Sequence, residues 1–213
     1  MLWTILAIII SYLLGSIPTA YIYGRVFKKI DIRKLGSGNV GATNALRVLG
    51  KRAGIIVLLL DILKGSIAVV FLGDLLAPKM IISDEAARVI LGLACISGHN
   101  WTIFLNFKGG KGVATTFGVL LGLALRIAGL KMVLLLAILT WLSVFIISRI
   151  VSLASVVTAI GLPLYALLFK VSFPVVLLSS ILSIFLILRH RSNLKRLLQG
   201  KEPQLDFRKK PLS

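Results

Sequence analysis

Acidic residues are scarce in this chain. Its 213 residues include 7 Asp and Glu against 25 Lys and Arg, a formal net charge of +18. Histidine is rarer still, with two, and there is a single cysteine. One cysteine can close no internal disulfide and build no cysteine-rich metal site. Cys95 lies inside an apolar run and reads as a small packing residue. Two histidines and so few acids form no metal cluster by spacing, so neither a metal nor another cofactor is expected. No basic stretch precedes the first apolar run, so residues 1–23 read as a retained membrane span rather than a cleaved signal.

What the chain has in abundance is apolar. Hydrophobic residues make up 58%, and the mean hydropathy is +0.99. Nucleic-acid-binding proteins are also basic but not this apolar, and no nucleic-acid partner is expected. The apolar residues come in blocks with the charge between them. That pattern belongs to a multi-spanning membrane protein whose basic loops face anionic lipid headgroups. A span needs roughly 20 mostly apolar residues. Seven segments qualify or nearly so: 2–23, 54–77, 86–105, 113–128, 132–148, 153–169 and 173–188. The expected fold is therefore an all-α integral membrane protein of seven transmembrane helices. It is expected to be a single multi-spanning domain over 1–213, with a basic tail at 189–213.

Charge orients these spans. The first loop (25–52) carries eight basic residues, Lys108 and Lys111 lie in the third, and Arg149 in the fifth. The tail carries eight more, ending in Arg208, Lys209 and Lys210. Those nineteen share one face, whereas Lys79, Arg88, Arg126, Lys131 and Lys170 make five on the other, with Lys64 inside the second span. Basic loops stay in the cytoplasm, which places the N-terminus outside and the C-terminus inside.

The unusual polar residues gather on the cytoplasmic face. Residues 35–47 hold glycines, small hydroxyls and amides and end in Arg47, a composition unsuited to a packed core. Their backbone N–H groups can approach and cradle an anion, and the helix that follows offers its positive end. Gly36-Ser37-Gly38-Asn39-Val40-Gly41 matches G-x-G-x-x-G, and Asp61 lies twenty residues after Gly41. A dinucleotide site would need a preceding strand and a parallel sheet, but Asp61 sits in a membrane span, so that reading is rejected. Lys108-Gly109-Gly110-Lys111-Gly112 is not a Walker A sequence, yet it sets a cation among glycines at a helix start, which suits a phosphate. Asp61 and Lys64 are three apart on one helix and can pair. Charges within a span usually face the bundle interior, so a structural ion pair bracing the site is the leading reading. His99 and His190 stand at the cytoplasmic ends of two spans. Ser152 and Ser155, three apart, can face one cleft, though serines so placed also serve as helix caps and backbone partners.

Together these segments resemble a known family, the bacterial acyl-phosphate:glycerol-3-phosphate acyltransferases of phospholipid synthesis, the PlsY type. The marks are Leu13-Leu14-Gly15-Ser16-Ile17-Pro18, the glycine-rich stretch 36–44, Leu60-Asp61-Ile62-Leu63-Lys64-Gly65 and Gly98-His99. They continue with Phe107-Lys108-Gly109-Gly110-Lys111-Gly112-Val113-Ala114-Thr115, Val151-Ser152-Leu153-Ala154-Ser155 and Arg189-His190-Arg191-Ser192-Asn193. One departure is that the family commonly has a proline near Thr102, where this chain has none between Pro78 and Pro163.

The resemblance implies a multi-pass enzyme of the bacterial cytoplasmic (inner) membrane, expected to be monomeric, with membrane lipids around it. It implies transfer of a fatty acyl group from acyl phosphate to the 1-hydroxyl of sn-glycerol 3-phosphate, giving lysophosphatidic acid and phosphate. Neither histidine begins a His-x4-Asp motif of the kind other glycerolipid acyltransferases carry. By position, Ser37, Gly38, Asn39, Gly41, Thr43 and Asn44 match the cradle for the acyl-phosphate head. Arg47 and Lys111 match the phosphate-holding cations, and Lys111 serves both substrates. Ser155, His190 and Asn193 match residues that hold glycerol 3-phosphate. Lys111, Arg47, His190, Asn193 and Ser155 are thereby the catalytic set, with His99, Ser152 and Asp61 as further candidates.

Acyl phosphate is an activated mixed anhydride, so the protein's main task would be to position two phosphorylated molecules and stabilise charge. The hydroxyl proton is expected to pass to a substrate phosphate oxygen, with His190 as the alternative base. A transporter of an organic anion is the competing class. Against it, the sequence shows no inverted repeat and no polar path across the membrane.

Overall fold

The computed structural model describes residues 1–205, and among them every regular element is helical. Arg208, Lys209 and Lys210 of the basic tail lie outside the described residues. Four helical stretches are long and apolar enough to cross a membrane: Lys51–Lys79, Asp84–Leu105, Leu130–Ser148 and Val151–Leu168. Two more arise as bent pairs, and Val113–Ala124 is a shorter apolar helix. Each of the seven apolar segments is thus helical, but several differ from the expected spans, for identifiable reasons.

The first, expected to be continuous over 2–23, is two helices, α1 (Leu2–Ser16) and α2 (Thr19–Lys28), bent by 42°. Pro18 has no N–H to continue the ladder and pushes Ile17 out of the helical region, at ψ 112°. The second expected span, 54–77, begins earlier. A short amphipathic helix, α3 (Ala42–Leu49), precedes it, then α4 (Lys51–Val69), α5 (Phe71–Leu76) and a 3-10 turn to Lys79 follow. The third, expected over 86–105, is α6 (Asp84–Asn100), opened by the Ser83 side chain accepting from the Ala86 N–H. Residues Ile103–Leu105 form a separate 3-10 turn.

The fourth, α7 (Val113–Ala124), ends before the expected 128. The chain turns there through Arg126 and through Gly129, whose φ is +84°. Then come α8 (Leu130–Ser148), α9 (Val151–Leu168) and α10 (Phe173–Arg189), and after a 60° bend α11 (Arg191–Leu198), a helix inside the expected basic tail.

The chain divides into two compact units at Gly122. In the first, α1 runs parallel to α6, tied by Ser11 Oγ donating to Leu91 O (2.6 Å), Tyr12 OH to Trp101 O (2.6 Å) and Thr102 Oγ1 to Ser16 O. Hydroxyl-to-carbonyl bonds of this kind join helices where the hydrophobic effect between them is weak. Helix α4 runs antiparallel to α6, and Ser66 Oγ joins it to Gly118 O of α7 (2.9 Å). An apolar cluster of Ala20, Ile32, Val40, Ala45, Val48, Leu49, Ala53 and Val57 seats α3 against α2 and α4.

The break between α4 and α5 is closed by Arg88. Its Nη1 donates to Val69 O (2.9 Å), and it pairs with Asp74 and Asp84 at 2.8 Å each. In the second unit α9 packs on both α8 and α10, with Thr140 and Tyr165 hydroxyls 2.7 Å apart.

Candidate active site

The glycine-rich segment is a loop leading into α3. Gly36 and Gly38 have φ of +59° and +70°, the left-handed region that favours glycine. At Gly36 a side chain would also meet the Asn44 amide. Asn44 is 2% exposed and organises the loop: its Oδ1 accepts from the Ser37 N–H (2.9 Å), and its Nδ2 donates to Leu35 O (3.2 Å). Its amide is turned inward, to loop backbone, so its part in the cradle is to shape it. Ser37 is exposed, Asn39, Gly41 and Thr43 are half-buried, and Arg47 lies one turn after Thr43 on the same face of α3. Helix α3 starts at Gly41 with no side-chain cap and no acid in its first turn. The Asn44 and Ala45 N–H groups donate to Gly41 O, while those of Ala42 and Thr43 have no acceptor inside the helix, and this positive end suits an anion.

Nearby cations are already matched. Asp31 pairs with Arg25 (3.0 Å) and Arg33 (2.7 Å), and both guanidiniums lie over the Tyr21 ring. The Arg33 hydrogen bond holds the Asp31 carboxyl well below the usual carboxylate range against the opposing effect of burial, with Arg25 adding to it.

Loop 109–112 is fastened to the end of α6. Gly110 N–H donates to His99 O (2.9 Å) and Gly109 N–H to Asn100 O (3.2 Å). The His99 ring lies so close to Gly110 that any side chain there would collide with Nε2. This loop holds Lys111, half-buried, at the start of α7. Asn100, which sequence reasoning passed over, is fully buried beside Gly112. Its side-chain atoms and the hydroxyls of Thr115 and Thr116 have no partner among the described residues. Buried polar groups cost about 1–3 kcal/mol each until paired, so this end of α7 is suited to a polar ligand.

Behind the loop, Asp61 and Lys64 form the ion pair expected from their spacing, at 2.8 Å and almost wholly buried. Thr19 Oγ1 donates to Asp61 Oδ1 (2.8 Å), Lys64 Nζ donates to Ile17 O (3.2 Å), and His99 Nδ1 lies 2.9 Å from Lys64 Nζ.

In the second unit, Glu202 is the centre of a cluster. Its carboxylate accepts from Ser152 Oγ (2.7 Å), Asn193 Nδ2 and Arg196 Nε (2.7 Å). This ties α9, α11 and the segment after α11 together, and it fixes the Asn193 amide with its NH2 towards Glu202. Burial opposes ionisation of Glu202, but the hydrogen bonds from Asn193, Ser152 and Arg196 outweigh it and hold the carboxyl below its ordinary range. Sequence reasoning missed Glu202 and Arg196, although Glu202 is the one acid among the basic residues of 189–205. Ser155 Oγ donates to Val151 O (2.7 Å) and accepts from the Trp141 indole (3.3 Å). His190 is buried at the bend between α10 and α11, with Nδ1 2.7 Å from Leu186 O. A carbonyl accepts only, so Nδ1 carries a proton, and in the neutral ring Nε2 then holds the lone pair. Ser152 and Ser155 therefore face different partners, Glu202 and Trp141.

A family model described as glycerol-3-phosphate acyltransferase matches residues 5–200. The glycerol-3-phosphate acyltransferase of Prochlorococcus marinus (strain NATL1A) is 44% identical over 209 residues, covering 94% of this chain and 98% of the relative. Glycerol-3-phosphate acyltransferase 2 of Moorella thermoacetica is 45% identical over 204 residues, with 96% and 98% covered. The chain belongs to the glycerol-3-phosphate acyltransferase family. Two crystal structures of its member PlsY, an integral membrane enzyme, share the fold. The glycerol 3-phosphate form has a TM-score of 0.83 at 36% identity, with 95% of this chain and 96% of that one covered. The lysophosphatidic acid form has a TM-score of 0.80 at 35% identity, with 96% of each covered. As a family member with several apolar helices, the chain is a multi-pass membrane acyltransferase.

The Glu202 cluster makes a pH-dependent contribution. Its folded pKa is lowered, so its stabilisation is present above the ordinary carboxylate range and is lost as pH falls through the lowered value. Glu202→Gln is expected to melt below the wild type at neutral pH, with the gap closing in acid. Melting curves in detergent at stepped pH check this, and a pH-independent gap would contradict it.

Proposed function

We propose that this chain transfers a fatty acyl group from acyl phosphate to the 1-hydroxyl of sn-glycerol 3-phosphate, releasing lysophosphatidic acid and inorganic phosphate for phospholipid synthesis. The setting is the bacterial cytoplasmic membrane, and the enzyme acts as a monomer. Its seven spans are the four long helices, the two bent pairs and α7, with the N-terminus outside and the basic C-terminus in the cytoplasm. The parallel run of α1 and α6 and the antiparallel run of α4 and α6 support that order.

One observation supports a phosphorylated donor. The loop leading into α3 is glycine-built and ends at a helix start with no side-chain cap, which suits a phosphate group. Residues 37–44 would receive the acyl-phosphate head there. Arg47 adds a bidentate fork and Lys111 a point charge. Two dianionic substrates repel each other, and a leaving phosphate needs its charge neutralised, so these cations serve both binding and turnover. In the second unit Ser155, His190 and Asn193 would hold glycerol 3-phosphate, with Glu202 and Trp141 fixing Asn193 and Ser155. The acyl chain stays in the bilayer.

The glycerol hydroxyl attacks the acyl carbon, the acyl C–O bond to phosphate breaks, and phosphate leaves with the bridging oxygen. The hydroxyl proton passes to a phosphate oxygen of the substrate. A second reading gives the proton to His190, and the bond from its Nδ1–H to Leu186 O favours it by leaving Nε2 as an acceptor.

Purified protein given acyl phosphate and glycerol 3-phosphate is expected to form phosphate and lysophosphatidic acid in equal amounts. Glycerol phosphate flux into vesicles without chemistry would point to a transporter instead. Lys111→Ala is expected to lower turnover on the order of a hundredfold or more while still inserting into the membrane. Near-normal turnover would sink its assigned role. For His190→Gln, a modest loss is expected if the substrate phosphate is the base. Intact binding with a loss on the order of ten-thousandfold would instead make His190 the base.

A further inference from the structure

Lys64 has three ammonium protons and three acceptors. Asp61 Oδ1 stands at 2.8 Å, His99 Nδ1 at 2.9 Å and Ile17 O at 3.2 Å. An ammonium group only donates, so His99 Nδ1 accepts a hydrogen bond from Lys64 and carries a lone pair. Asp61 Oδ1 lies 3.6 Å from the same nitrogen, outside hydrogen-bond distance, so Lys64 is the hydrogen-bonding partner of Nδ1. Asp61 pairs with Lys64, and Thr19 Oγ1 donates to Asp61 Oδ1 and fixes its orientation. A neutral imidazole with Nδ1 unprotonated carries its proton on Nε2. That nitrogen lies against Gly110, immediately before Lys111, at a place where no side chain fits.

We propose that Asp61 and Lys64 lock His99 as the neutral Nε2–H tautomer, and that this N–H is a hydrogen-bond donor to the anionic head held at the loop carrying Lys111. His99 is then a fixed electrophilic donor and not a base. Asp61 and Lys64 are positioning residues that act through it. The two histidines of the chain are set in opposite senses: Lys64 leaves His99 with a donor at Nε2, and Leu186 O leaves His190 with an acceptor there. The assignment of the donor's target rests on the proposed acyltransfer, whereas the tautomer does not.

Nitrogen-15 NMR of histidine-labelled protein in bilayers tests the tautomer directly, and His190→Gln identifies which signals belong to His99. The expected spectrum has His99 Nδ1 unprotonated and Nε2 protonated at neutral pH without substrate. Nδ1 protonated, whether as the other tautomer or as imidazolium, overturns the proposal whatever the enzyme's substrates are. Lys64→Met is expected to release the lock and let the Nδ1–H form appear, and an unchanged spectrum would overturn Lys64's role. Kinetics test the donor. His99→Leu is expected to lower kcat on the order of a hundredfold with little change in KM for glycerol 3-phosphate, and His99→Gln, which keeps an N–H, to recover part of the loss. Wild-type kcat in His99→Leu would overturn the donor role while leaving the proposed reaction intact.

Discussion

In a lipid environment a backbone carbonyl freed from its helix has no water to turn to. The first unit is organised by how it meets that constraint. Its spans break at two places, after Ser16 and after Val69, and at each a buried cation donates to a backbone carbonyl of the break, at Ile17 O alongside the Thr19 N–H. Lys64 takes Ile17 O and Arg88 takes Val69 O. Each cation is in turn neutralised by carboxylate, Asp61 for Lys64, and Asp74 with Asp84 for Arg88. Burying a charge is costly unless it is paired and hydrogen-bonded, so these assemblies hold only when complete. A chain with seven acids devotes three of them to this use.

The first of these assemblies reaches the candidate site. Lys64 spans from the α1–α2 break to His99, and His99 bears on Gly110 through its ring and its carbonyl. The cation that repairs a broken span thus also sets the loop that bears Lys111. The second unit uses a different device for a similar end. There Glu202 gathers Ser152, Asn193 and Arg196 from two helices, so one carboxylate fixes the side chains around it.

Much of this was legible in the sequence where a local rule applied. The Asp61–Lys64 pair follows from spacing on one helix turn, and the glycine-rich loop before α3 from a composition unsuited to a packed core. What stayed hidden depended on distance. The contact between Lys64 and His99 joins residues 35 apart, and that between Ser152 and Glu202 residues 50 apart. Asn44 shows a subtler limit. A small amide in a glycine-rich loop looks the same whether it faces a ligand or holds the loop, and only its bonds to Ser37 and Leu35 separate the two. Pro18 was visible within the first apolar run, but the bend it makes gains meaning only from Lys64, which reaches Ile17 O there.

The central claim is that the chain cleaves acyl phosphate on the acyl side, by attack of glycerol 3-phosphate at the carbonyl carbon. Acyl phosphate carrying oxygen-18 in the bridging position tests it most directly. The account predicts that the label leaves in inorganic phosphate and that lysophosphatidic acid forms unlabelled. Label recovered in free fatty acid, with the phosphoryl group transferred to glycerol phosphate, would contradict it.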